Sequence, residues 1–257
     1  MMKRVVLIGS GNVAWHIARR LKLSDCTVQV YGRNLYDAVG FAGYLYISDV
    51  NQLDKDADYY ILCVKDVAVQ SVAASLPFRL HQDQMLIHTS GTLPMDILQP
   101  FAQQYGVLWP LMSLRKNHEV MHPDSTPYIV TAPGKEASEN LAVIADLLTD
   151  TWSCADDNQR QKMHLMAVVT SNFTNHLLAL AYQYCTGNQI DFNHFNPIIA
   201  ETVNRIKGID PATLQTGPAV RADHRTMELH LSLLLPDENL SKLYRDFSES
   251  IIKMYAK

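Results

Sequence analysis

Six residues near the start of the chain, Gly9-Ser10-Gly11-Asn12-Val13-Ala14, have the types and spacing of a phosphate-binding turn. They read G-x-G-x-x-A, directly after an apolar run at 4–8 and at the start of a helical pattern. The first glycine permits the tight turn, the second lets backbone approach a pyrophosphate, and the alanine lets the helix pack closely on the strand. The helix start then offers open N–H groups and a partial positive charge. A structural strand-to-helix turn can carry the same glycines. Here, however, strand, turn, helix and second strand follow in the order a dinucleotide-binding unit needs.

The end of the second strand, Tyr31-Gly32-Arg33-Asn34, has no acid to accept from ribose hydroxyls. A guanidinium pairs bidentately with a phosphate, so Arg33, with Asn34 as a further donor, predicts NADP rather than NAD. In an open parallel sheet, ligands lie beyond the carboxyl ends of the strands. Two such ends are Val64-Lys65-Asp66 and Thr89-Ser90-Gly91-Thr92. Val64, Lys65 and Thr89 are expected against the cofactor, with Asp66 as a helix cap. Ser90 and Gly91 are expected beside a small polar substrate, unless the hydroxyls only cap the turn.

A long stretch, 163–190, contains no Asp, Glu, Lys or Arg. At 100° per residue, Ser171 and Asn175 lie about 20° to either side of His164, with Asn172 about 80° away. A polar stripe on an apolar helix should face a partner or ligand, because unpaired buried polar groups cost about 1–3 kcal/mol. The imidazole of His164 suits a proton donor, with Asn175 beside it. Ser171 and Asn172 are expected to hold substrate, and Arg221, in Thr216-Gly217-Pro218-Ala219-Val220-Arg221, to hold an anionic one. The competing expectation makes His164 and the amides satisfied core or interhelix residues, and the Arg221 segment a structural loop with an Arg–Asp ion pair.

No metal is expected. His118-Glu119-Val120-Met121-His122 reads H-E-x-x-H, but it lies between two expected strands with Pro123 immediately after. Cys26, Cys63, Cys154 and Cys185 are far apart and predict reduced thiols of a cytoplasmic protein. With 22 Lys+Arg against 26 Asp+Glu and no basic patch, nucleic acid is not an expected partner. The start, Met1-Met2-Lys3-Arg4, leads into only four apolar residues before Gly9, too few for a signal peptide. The uncharged stretch carries too many His, Asn, Ser and Thr for lipid, which predicts a helix buried in protein and no membrane partner.

These residues need a particular frame. The chain has 257 residues, 47% of them apolar and 19% charged, enough for one large domain or two ordinary ones. Strands are expected at 4–8, 27–31, 59–64, 85–89, around 107–108, at 128–131 and at 151–154. Helices are expected between them at 12–23, 35–42, 67–76, after Pro94, and at 135–149. Past 155 the strand pattern stops and helices follow at 158–186, 192–207, 224–235 and 237–256. Asp191, Asp223 and Asp237 mark starts, and 208–222 is a loop. The fold class is α/β: an N-terminal doubly wound parallel sheet over 1–155, then an all-α domain over 156–257.

Taken together, Gly9 to Ala14, His88-Thr89-Ser90-Gly91, Trp109-Pro110-Leu111, Ser171-Asn172 and Thr216 to Arg221 resemble a family of Rossmann proteins with a helical C-terminal domain. That family is described as NADP oxidoreductases and is similar to deazaflavin-dependent NADP oxidoreductase and pyrroline-5-carboxylate reductase. The resemblance implies a C-terminal domain related to that of 6-phosphogluconate dehydrogenase, used for homodimerisation. One departure stands out. The related β-hydroxyacid dehydrogenases carry an acid/base Lys on the first long helix of the second domain, whereas Lys162 lies about 160° around the helix from His164. The expected function is hydride transfer between NADP and a small carbonyl or imine, or a deazaflavin. A non-catalytic NADP-binding sensor or assembly protein is the alternative. A methyltransferase-like use of the glycine turn is disfavoured, because no acid follows the second strand.

Overall fold

The computed structural model describes residues 2–24 and 26–255. Met1 and position 256, the expected end of the last helix, lie outside them. Contacts divide the chain into two compact units, Met1–Phe173 and Thr174–Lys257.

The first unit is built on eight strands: β1 (Lys3–Ile8), β2 (Cys26–Tyr31), β3 (Leu45–Ile47), β4 (Tyr59–Leu62), β5 (Met85–His88), β6 (Gln104–Pro110), β7 (Tyr128–Thr131) and β8 (Trp152–Cys154). Their order is β3-β2-β1-β4-β5-β6-β7-β8, parallel throughout except where β6 meets β7. Near-continuous apolar runs make this possible, because each central strand is covered on both faces. Along β1, Val5 and Leu7 join one core with Ile17 and Leu21 of α1 (Asn12–Lys22) and Leu141 of α3 (Lys135–Asp146). Val6 and Ile8 join the opposite core with Val69 and Ala73 of α2 (Val69–Ala74). The chain reverses its winding between β1 and β4, which opens a crevice at the carboxyl ends of those two strands. This is the expected α/β architecture.

Three local expectations differ in detail. Residues 35–42 form a 3-10 turn, Leu35–Phe41, and the segment after Pro94 is another, Met95–Leu98. Strand β3 was not expected, because three residues give too short a run to show a period.

After β8, Asp156 caps α4 (Asp157–Ala167) through a reciprocal bond with Gln159. This helix belongs to the first unit, past residue 155 where the strand pattern ends. Arg160 explains why: it is fully buried, donates to Thr131 Oγ1 at 2.6 Å and to the Leu93 carbonyl, and pairs with Asp157 at 2.7 Å. Asp157 in turn accepts from the Met95 N–H at 3.2 Å. A π-turn, Val168–Phe173, follows.

The second unit is helical: α5 (Thr174–Gly187), α6 (Asn196–Arg205), α7 (His224–Leu233) and α8 (Glu238–Tyr255). Asp191, Asp223 and Asp237 accept from backbone N–H groups two or three residues on, as expected of caps. His230 meets the Tyr244 hydroxyl at 2.8 Å and ties α7 to α8. The expectation that the uncharged stretch is buried within the chain is corrected. Leu165, Met166 and Phe173 are 57%, 51% and 56% exposed, so the missing charges mark an apolar surface and not a core. Among the described residues, no helix is long and apolar enough to cross a membrane.

Removing the Arg160 guanidinium strands Asp157 and the acceptors it ties together. Arg160→Met is expected to destabilise the first unit by about 3 kcal/mol. Urea unfolding followed by tryptophan fluorescence reads this unit, since Trp15, Trp109 and Trp152 all lie in it. A loss below about 1 kcal/mol, the worth of an exposed pair, would show that Arg160 is no tie.

Candidate functional site

The glycine-rich turn leaves β1 at the switch point. Gly9 has φ 125°, and its N–H donates to the Tyr31 carbonyl at 2.8 Å, while Cys63 N–H donates to the Ile8 carbonyl at 2.8 Å. A Cβ on Gly9 would overlap the Cys63 carbonyl, and Val64 packs against the same spot. Only glycine fits there. Gly11 is the residue before α1 and caps it with no side chain, nothing lies within 4 Å of where its Cβ would be, and no acid sits in the first turn. Ala14 is fully buried against the strand. Exposed Asn12 and half-buried Val13 thus begin a helix whose first N–H groups are uncapped by side chains. This cradle fits the diphosphate of a dinucleotide. The side chains of Ser10 and Asn12 are engaged within the protein: Ser10 Oγ donates to Asp37 at 2.7 Å, and Asn12 Oδ1 accepts from Lys116 N–H at 3.0 Å. What they offer a ligand is backbone.

Arg33 and Asn34 are both exposed at the end of β2, and the Asn34 carbonyl accepts from the Tyr46 hydroxyl at 2.7 Å. Reading that strand end as free of acid is incomplete. Asp37, on the following 3-10 turn, brings its carboxylate to Ser10. No period or motif marks it. The only sequence signal is an acid in the first turn after β2.

At the carboxyl end of β4, Val64 is half-buried and Lys65 exposed. At the end of β5, Thr89 is buried and donates to the Leu62 carbonyl at 3.3 Å, stitching two strands together. Ser90 donates to Asp66 at 2.8 Å, and its oxygen accepts from the N–H groups of Thr92 and Leu93, both at 3.1 Å. Thr92 adds a second hydroxyl to Asp66 at 2.7 Å. The Ser90 hydroxyl is therefore spent on the turn, the plainer of its two expected uses. Beneath it, His88 Nδ1 accepts from Ser90 N–H at 3.2 Å, so the other ring nitrogen carries the proton toward the Pro94 carbonyl at 3.3 Å. Burial pushes the His88 pKa down to about 4.

The expected helix residues gather at a cavity of about 710 Å³ within the first unit, lined by Trp109, Leu111, Lys162, His164, Ser171 and Asn172 among others. The His164 and Trp109 rings lie 5.5 Å apart and tilted by 53°. Gly91 makes room for both: a Cβ there would come within 2.5 Å of His164 Cδ2 and 2.8 Å of Trp109 Cε2. The angular stripe drawn for a regular helix is broken by the π-turn, whose extra residue sets later side chains back by about 100°. Lys162, set apart from His164 by that reckoning, also lines the cavity. Asn175 and Arg221 are exposed in the second unit, Asn175 in α5 and Arg221 in the turn closed by its N–H to the Pro218 carbonyl at 3.2 Å.

The H-E-x-x-H string is a loop, with Glu119 paired to Arg19, so its spacing does not align the two imidazoles. Among the described residues, no three His, Cys, Asp or Glu side chains cluster as metal ligands.

Residues 4–91 match the family described as "NADP oxidoreductase coenzyme F420-dependent", and residues 126–251 match "Domain of unknown function (DUF2520)". Among solved structures, the chain is 32% identical to "putative NADP oxidoreductase BF3122 from Bacteroides fragilis", with 98% of each chain covered and a TM-score of 0.90. Its fold is also similar to that of a reductive aminase from Aspergillus terreus in complex with NADPH and ethyl levulinate. There the identity is 12%, the coverage 98% of this chain and 94% of that one, and the TM-score 0.71. A third similar fold is 1-pyrroline-5-carboxylate reductase from Streptococcus pyogenes, at 15% identity, 97% and 98% coverage and a TM-score of 0.61. No curated protein matches the chain.

The neutral, doubly bonded His88 makes stability pH-dependent. Its folded pKa lies below the ordinary 6.5, so its contribution is whole above pH 6.5 and is lost as the pH falls toward 4, where only the unfolded chain takes the proton. About 2 kcal/mol should disappear between pH 7.5 and 5. Urea unfolding across that range, compared with His88→Gln, isolates the effect. Parallel curves for the two proteins would mean His88 titrates normally.

Proposed function

The chain belongs to the same family as the Bacteroides fragilis protein, and from that premise we propose that it is an NADP-dependent oxidoreductase acting on a small carbonyl or imine. The observation that carries this reading is the helix start at Gly11, uncapped by any side chain, at the sheet's switch point. The residues that would hold the dinucleotide are Gly9 to Ala14 through backbone, Arg33 and Asn34 at the adenosine end, and Val64 and Lys65 along the crevice. When bound, it would supply the hydride.

The chain's own part is to position the substrate and move a proton. His164 lies between Gly91 and Trp109 at an open cavity, placed to give a proton to the substrate's nitrogen or oxygen. Ser171 and Asn172 are the polar groups of that wall, and Trp109 and Leu111 its apolar face. A small, partly apolar imine or carbonyl fits this mixture, and reductive amination and imine reduction are activities named for neighbours of the same fold. Ser90 serves as scaffold.

We further propose a homodimer formed through the helical unit. Its Ile198, Val203, Leu229, Leu235 and Phe247 are between 48% and 71% exposed, an apolar surface that a second copy would cover.

Arg33→Ala should weaken NADPH by roughly 10- to 100-fold, the worth of a charge-assisted contact, while NADH changes little. Equal losses in fluorescence titrations would remove Arg33 from the phosphate. His164→Ala should leave NADPH affinity intact and slow turnover by about 100-fold or more, read as NADPH consumption over a panel of imines and carbonyls. Unchanged turnover would return His164 to a packing role. Binding with no consumption across the panel, by the unaltered protein, would favour a dinucleotide sensor.

A further inference from the structure

The connection between β6 and β7 crosses α1 and is fastened to it at three points. His16 Nε2 donates to the Arg115 carbonyl at 3.0 Å, Asn12 Oδ1 accepts from Lys116 N–H at 3.0 Å, and Arg19 pairs with Glu119. This strap carries one side chain, Lys116, onto the glycine-rich turn. Its Nζ lies 3.4 Å from the Ser10 carbonyl, 4.0 Å from Asp37 Oδ1 and 5.0 Å from the centre of the Phe41 ring. Its methylenes run through a slot kept open by Gly40, where a Cβ would overlap Lys116 Cε. The side chain is 23% exposed.

The ammonium is poorly satisfied where it stands. Its hydrogen bond to Ser10 is longer than the usual 2.7–3.2 Å, and its counter-ion is at the outer limit of an ion pair. Asp37 meanwhile gives its other oxygen to Ser10 Oγ at 2.7 Å. Backbone fastening and the Gly40 slot, more than any tight pairing, put a partly exposed cation with three donors beside an open helix start. A compact ammonium so placed is a point-charge ligand for phosphate.

We propose that Lys116 is a phosphate-binding residue of the dinucleotide site, held by the strap, with Asp37 as its counter-ion within the chain. The inference rests on the reading of the glycine-rich turn as that site. The group it binds is a phosphoryl oxygen, either of the pyrophosphate common to both pyridine nucleotides or of the ribose phosphate that only NADP carries.

The test is fluorescence titration of the full chain with NADPH and NADH, as wild type, Lys116→Met and Lys135→Met. Methionine keeps the shaft and removes the charge; Lys135 is an exposed residue of α3, paired only with Glu139, and its loss should change nothing. Lys116→Met is expected to weaken NADPH at least about tenfold. A matching loss for NADH assigns the pyrophosphate, and a loss confined to NADPH assigns the ribose phosphate. Asp37→Asn, which removes the competing carboxylate, should tighten NADPH severalfold. Unchanged affinity for both nucleotides in Lys116→Met, with thermal unfolding unaltered, overturns the proposal. If the wild type bound neither nucleotide, the reading of the site would itself fall, and Lys116 with it.

Discussion

The carbonyl oxygen of Cys63 occupies the space any side chain on residue 9 would need. That close approach follows from strand pairing: β1 and β4 are neighbours, and Cys63 N–H bonds back to Ile8 at the point where β1 ends. Because residue 9 has no Cβ and holds φ 125°, the chain turns sharply enough to start α1 directly above the strand. The first N–H groups of α1 then open toward the crevice instead of into protein. Ala14 keeps the helix close, and the buried Ile17 and Leu21 fix its rotation. The open helix start is thus a by-product of two strands pairing with no room for a side chain between them.

A second constraint acts at the end of β5. Buried His88 and Arg160 and exposed Asp66 are tied into the same turn by its backbone and hydroxyl groups. His88 Nδ1 accepts a hydrogen bond from the Ser90 N–H, Asp66 accepts two from the Ser90 and Thr92 hydroxyls, and Arg160 donates to the Leu93 carbonyl and Thr131 Oγ1. This network fixes the turn that carries Gly91, and Gly91 in turn admits His164 and Trp109 to within contact of the backbone. The Ser90 and Thr92 hydroxyls hold this turn together, and a glycine with no chemistry of its own makes room for the imidazole. A π-turn directly after α4 adds to this, since such turns are frequent at functional sites and this one places Ser171 and Asn172 on the cavity wall.

The outer surface follows a different rule. Long uncharged helices normally signal burial, yet here apolar side chains of α4, its π-turn and the second unit stand in solvent. A surface of this kind is stable when another apolar surface covers it, which is why a second copy of the chain is the partner proposed. The strap over α1 is built in the opposite way, from polar fastenings at His16, Asn12 and Arg19 that join residues about a hundred positions apart.

The order of strands and helices was legible in the sequence wherever an element was long enough to show its period. The glycine-rich turn was legible because all of its parts are contiguous, from β1 through Gly9 and Gly11 to Ala14. Caps at Asp191, Asp223 and Asp237 were likewise local. What the sequence left undecided were contacts between distant segments: Asp37 folding back on Ser10, Lys116 arriving on the β6–β7 connection, Arg160 buried under the β5 turn, and Lys162 sharing a cavity with His164. Helical phase beyond residue 167 also escaped, because one extra residue in a turn leaves no mark on composition yet resets every later angle. Periodicity records how each side chain relates to its own backbone; which side chains meet is decided by chain crossings that hydrogen bonding and packing select only in the folded molecule.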